Sequence, residues 1–121
     1  MKLRTIIETY QGLAQLKNIP DTKIAYAVVK NERILKPLVL DNQPKPTKDM
    51  LNYWNELAKA KSNEEKEEIN KKHAKTLETI EKTQKEWEEK LDIVELDVEL
   101  HKITELPANL TAKQVEIIDN F

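Results

Sequence analysis

Residues 63–103 change their hydrophobic period between Leu91 and Val94, and that change limits what the chain can fold into. From Asn63 to Leu91 the apolar side chains fall at Ile69, Leu77, Ile80, Trp87 and Leu91, a helical spacing. From Val94 they alternate strictly, with Val94, Leu96, Val98 and Leu100 separated by Glu95, Asp97 and Glu99. The period drops from about 3.6 to 2, the pattern of a charged helix feeding a half-buried strand. Because buried backbone N–H and C=O groups need partners, a lone strand must find another segment to pair with. Where it finds one is the central question of the fold.

The rest of the chain reads as helical. Leu3, Ile6, Ile7, Tyr10, Leu13 and Ala14 form one apolar stripe, stopped by Asn18 and Pro20. Asp21 then caps a second helix carrying Ile24, Ala27, Val28, Ile34 and Leu35, which Pro37 is expected to end or kink. Residues 38–46 contain Pro44 and Pro46 and read as extended, so that Leu38–Leu40 is the one other stretch able to pair with Val94–Leu100. Thr47 caps a short helix with Leu51, Trp54, Leu57 and Ala58 on its apolar face. Ser62 or Asn63 caps a long helix over 64–91, with Glu64, Glu65 and Glu67 near its positive end. Glu78–Lys82, Glu81–Lys85 and Glu86–Lys90 stand at i, i+4, a spacing that supports such a helix. After a loop through Pro107, Thr111 and Gln114 form a capping box for a last helix with Val115, Ile118 and Phe121. The expected fold is mainly α, a single domain over 1–121. It comprises a helical hairpin (1–37), an extended segment (38–46), helices (47–91), a strand (92–103), then a loop and short helix (104–121).

The residue inventory argues against catalysis. There is one glycine, Gly12, inside a helical pattern, so no glycine-rich phosphate loop can form. There are no cysteines, which removes disulfides and thiolate chemistry. The one serine, Ser62, sits at a helix cap, and neither His73 nor His101 has a neighbour at metal-ligand spacing. His73 lies on the apolar stripe between Ile69 and Leu77, the place of a half-buried, hydrogen-bonded histidine. No catalytic residue, cofactor or metal ligand is therefore assigned, and the expected protein is not an enzyme. The absence of an apolar run long enough for a bilayer, and of a signal-peptide pattern after Met1, points to a soluble protein inside a cell. Charge is uneven: the first 46 residues carry eight Lys or Arg against four Asp or Glu, and the last 30 carry two against seven. That basic excess is thin beside the patches of nucleic-acid binders, so nucleic-acid binding is a minority reading.

The ending Asp97–Ile103, Glu105-Leu106-Pro107, Asn109-Leu110-Thr111 and Gln114–Phe121 resembles a family of small uncharacterised bacteriophage and prophage proteins, helical with a C-terminal acidic strand. Pro20–Tyr26 and Gln84–Leu91 match its outline, and 38–62 departs from it. The resemblance implies a phage or prophage gene product in the host bacterial cytoplasm or the virion, and transfers no functional residues. The leading expectation is a protein that binds a host, defence or phage assembly factor, with Trp54, Trp87, Leu96, Val98 and Leu100 as candidate partner-binding residues. The alternative is a virion component or tail-assembly chaperone that forms a homo-oligomer by pairing its acidic strand across a two-fold axis.

Overall fold

A computed structural model describes all 121 residues. It contains six helices: α1 (Leu3–Leu16), α2 (Thr22–Asn42), α3 (Lys48–Lys59), α4 (Asn63–Lys72), α5 (Ala74–Ile93) and α6 (Ala112–Asp119). The chain divides into two compact units, Met1–Gln43 with Lys90–Phe121, and Pro44–Glu89. No helix is long and apolar enough to cross a membrane.

The first unit holds the main core. Ile6, Leu13 and Leu16 of α1 meet Ile24, Val28, Leu35 and Val39 of α2, joined by Leu100 and by Ile117 and Ile118 of α6. Each fully buried Leu or Ile contributes about 1.5–3 kcal/mol, so this cluster dominates the unit's stability. Local signals set the helix starts: Asp21 accepts from the Ile24 amide at 3.0 Å, and Thr111 and Gln114 cap each other reciprocally. The one glycine is where α6 lies against α1. A Cβ on Gly12 would stand 2.8 Å from both Cγ1 and Cδ1 of Ile117.

Three expectations are corrected here. Pro37 does not end α2, which runs on to Asn42, so residues 38–42 are helical and Leu38–Leu40 is not a strand. Proline deprives the Arg33 carbonyl of its helical donor, but Leu35 and Val39 on either side are buried at 0% and 3% exposure. Their burial outweighs one missing hydrogen bond. Beyond the proline, Asn42 Nδ2 donates to the Leu38 carbonyl at 2.7 Å and closes the helix end. The expected long helix is also broken: α4 stops at Lys72, and His73 has φ −105° and ψ 29° before α5 begins. None of the three i, i+4 pairs on α5 closes to a salt bridge. The ion pairs that form lie between positions farther apart in the chain, among them Arg4–Asp92 and Lys23–Glu105.

The third correction concerns the strand at 92–103, which is not present as part of a sheet. Helix α5 continues to Ile93, and the segment beyond it is extended with one isolated antiparallel bridge, Lys2 to Glu95. Its alternation nevertheless holds in burial: Val94, Leu96 and Val98 are half-buried and Leu100 is buried, while Glu95, Asp97, Glu99 and His101 are exposed. The backbone partners come from within the chain. The Leu3 amide donates to the Val94 carbonyl at 2.9 Å, and the Leu96 amide donates to the Met1 carbonyl at 2.9 Å. The Met1 nitrogen donates to the Leu96 carbonyl at 2.8 Å. Pairing stops there because α1 begins at Leu3, and from Ile6 on its amides are taken up by carbonyls four residues back. Five residues on, Asn31 of α2 takes over: its Nδ2 donates to the His101 carbonyl at 3.1 Å, and its Oδ1 accepts from the His101 amide at 2.7 Å. One side chain thus presents the donor and acceptor of a neighbouring strand. The strand edge that would drive pairing with a second copy is occupied at these positions.

Two predictions follow the packing. Asn31→Leu fills similar volume but offers no polar atoms, and should cost about 2–4 kcal/mol in urea unfolding. Hydrogen exchange should show the His101 amide deprotected; an unchanged exchange rate there would refute the role given to Asn31. Gly12→Ala gains helix propensity of about 1 kcal/mol, against an overpacking cost of about 1–3 kcal/mol with Ile117. It should therefore lower the melting temperature in the wild-type background and become neutral or stabilising with Ile117→Ala. Equal effects in both backgrounds would contradict the contact.

Candidate docking groove

The second unit, Pro44–Glu89, is built differently from the first, with polar contacts in place of a large core. Thr47 starts α3 by accepting from the Met50 amide at 3.3 Å, with Asp49 in the first turn near the positive helix end. Its buried residues are Met50 and Tyr53. Ser62 caps α4 by accepting from the Glu65 amide at 3.2 Å, and the Glu65 carboxylate returns to accept from the Lys61 amide at 2.8 Å. No residue of α4 is buried.

Polar latches therefore hold α4 against α3. The Tyr53 hydroxyl donates to Asn70 Oδ1 at 2.6 Å. His73 Nε2 lies 2.6 Å from Glu56 Oε2, and Lys72 Nζ lies 3.2 Å from the other carboxylate oxygen. A carboxylate only accepts, so Nε2 carries the proton in this contact. The His73 ring also packs edge-on against Tyr53 at 5.5 Å between centroids. This is the half-buried histidine that the stripe implies, its side chain 15% exposed. The hydrogen bond from His73, and after it that from Lys72, holds the Glu56 carboxyl below its ordinary value of 4.5. In the first unit the Arg4 guanidinium does the same for Asp92 through a two-pronged contact at 2.9 and 3.0 Å.

The break at His73 lets α5 present a second stripe to α3. Ile80, Thr83, Gln84 and Trp87 stand at i, i+3, i+4 and i+7 and form one wall of an open groove of about 240 Å³. The other wall is Met50 and Trp54 of α3 with the Pro44-Lys45-Pro46 segment before it. Trp54 is 43% exposed and Trp87 is half-buried. The lining offers two indole N–H donors, the Thr83 hydroxyl, the Gln84 amide and the Lys45 ammonium. It contains no carboxylate and no imidazole, so it has no acid–base pair, and its size suits an apolar side chain rather than a cofactor. No cluster of three or more His, Cys, Asp or Glu side chains is positioned to hold a metal ion.

Of the five candidate partner-binding residues, the structure brings Trp54 and Trp87 together across this groove. It places Leu96, Val98 and Leu100 in the other unit, against the core beneath the extended segment. Met50, Pro44, Pro46 and Ile80 join the site without having been singled out. Ile80 and Trp87 share a stripe in the sequence, but only the break at His73 sets that stripe opposite α3. No protein-family model matches this chain, and neither a curated protein nor a solved structure matches it.

Because the folded value of Glu56 is depressed, its stabilisation is in place above the ordinary 4.5 and is lost as pH falls below it. Protection factors of the α4 amides, corrected for intrinsic exchange, should fall as pH drops below 4.5 by more than denaturation of the whole unit explains. Glu56→Gln should remove that acid dependence; if the variant keeps it, the latch is assigned to the wrong group.

Proposed function

We propose that this chain is a non-enzymatic, phage-encoded protein that binds a host, defence or phage assembly factor, acting in the infected bacterial cytoplasm or in the particle. The observation that carries the reading is the groove between Trp54 and Trp87. Tryptophan is the side chain most often found where binding energy concentrates, because it desolvates a large area while keeping an N–H donor for orientation. Here two of them flank an apolar floor rimmed by two prolines, whose fixed backbone costs little to order. Such a groove suits an apolar anchor side chain of a partner, with Gln84 and Lys45 placed to engage the partner's backbone carbonyls. The phage assignment rests on the resemblance of the C-terminal third, and the non-enzymatic reading on the lack of a nucleophile or acid–base pair in the groove.

The test is affinity capture from phage-infected bacteria, followed by titration of the purified partner. Trp54→Ala and Trp87→Ala should each weaken binding by roughly thirtyfold, the mark of a hot spot worth about 2 kcal/mol. Leu106→Ala, an exposed apolar residue of the other unit, should leave it unchanged. Equal affinity of the tryptophan variants and wild type, with melting temperatures preserved, would overturn the reading.

A further inference from the structure

Helix α2 carries a second surface, in the other unit and independent of the groove. Four of the eight large apolar side chains that stand exposed in this chain lie on this helix, including Tyr26 at 53%, Val29 at 48% and Leu40 at 53%. With Arg33 and Lys36, these three recur at alternating intervals of three and four residues. That is the seam of two coiled-coil heptads. Ends and middle differ in chemistry: the seam is apolar at Tyr26, Val29 and Leu40 and cationic at Arg33 and Lys36. Neither cation has an ion-pair partner in the chain, whereas Lys17 and Lys23 nearby are paired with Glu32 and Glu105. Lys30 flanks the seam and lies over the Tyr26 ring at 5.4 Å.

This pattern selects among occupants. A second copy is disfavoured, because pairing α2 with α2 sets Arg33 and Lys36 against like charges in either orientation. Nucleic-acid phosphates would use the cations but not the exposed Leu40, Val29 and Tyr26. An anionic membrane surface favours cations at the flanks of an apolar face, and here they interrupt it. We propose that the outward seam of α2 docks an acidic amphipathic helix of a partner protein, whose carboxylates meet Arg33 and Lys36 and whose apolar residues cover Tyr26, Val29 and Leu40. Arginine at the centre of the seam allows a two-pronged carboxylate contact that fixes register as well as affinity.

The probe is a synthetic helical peptide with leucine at its seam positions except for glutamates facing Arg33 and Lys36. It is titrated into the isotope-labelled full chain and followed by NMR. Amide shifts should concentrate between Tyr26 and Leu40, and a peptide with lysines in place of those glutamates should cause none. Arg33→Glu should weaken the acidic peptide at least about tenfold, and should gain binding of the lysine peptide. Lys36→Glu provides the same reversal if the first variant melts early. The proposal is overturned if the acidic peptide shifts no resonance on α2. It is equally overturned if a short DNA duplex or phosphatidylglycerol vesicles perturb this face in its place.

Discussion

An extended stretch of chain carries N–H and C=O groups at every residue, and in a protein without a sheet those groups still need partners. Within residues 94–101 two unlike devices supply partners, the backbone of Met1–Leu3 at Val94 and Leu96 and the Asn31 side chain at His101. Much of the first unit depends on that solution. It fixes where α1 begins, it ties the end of α5 beside α1 together with Arg4–Asp92, and it holds Leu100 over the α1–α2 core. A fully buried asparagine is expensive unless satisfied, and here both ends of its amide are used. At His101 one side chain takes the place that a neighbouring strand would fill.

The helix starts were legible in the sequence, because a cap is a local interaction: Asp21, Thr47, Ser62 and Thr111 all perform as their positions imply. The alternation from Val94 to Leu100 was legible as burial but misleading as pairing, since periodicity reports which face is covered and not what lies alongside. Pro37 misled for a related reason. Its local cost is fixed, and the packing of Leu35 and Val39 on a distant core is not visible from neighbouring residues. The break at His73 was hidden because His73 continues the stripe from Ile69 to Leu77. Only contacts with Tyr53 and Glu56, 20 and 17 positions earlier, show why the helix stops there. The same blindness applies to the groove: both tryptophans stood out, and the arrangement that sets them on opposite walls of one groove did not.

The two units divide the work of the chain by the kind of interaction each uses. Met1–Gln43 with Lys90–Phe121 concentrates buried aliphatic residues, and leaves a basic and apolar seam on α2. Pro44–Glu89 has two buried side chains and relies on caps, a tyrosine–asparagine bond and a histidine–glutamate contact, leaving Trp54 and Trp87 partly open to solvent.

The pairing of Asn31 with His101 spans 70 positions, and this sets the order of events as the chain is made. At synthesis rates of about 5–20 residues per second, Asn31 emerges roughly 4–14 s before its partner. During that interval α1 and α2 can form their hairpin, but its core lacks Leu100, Ile117 and Ile118 and its buried amide has only water. Residues 44–89 are all made before His101, so the contacts within their unit can form first. The part that appears earliest is therefore the last to be finished, closed by the acidic strap and α6 as they leave the ribosome.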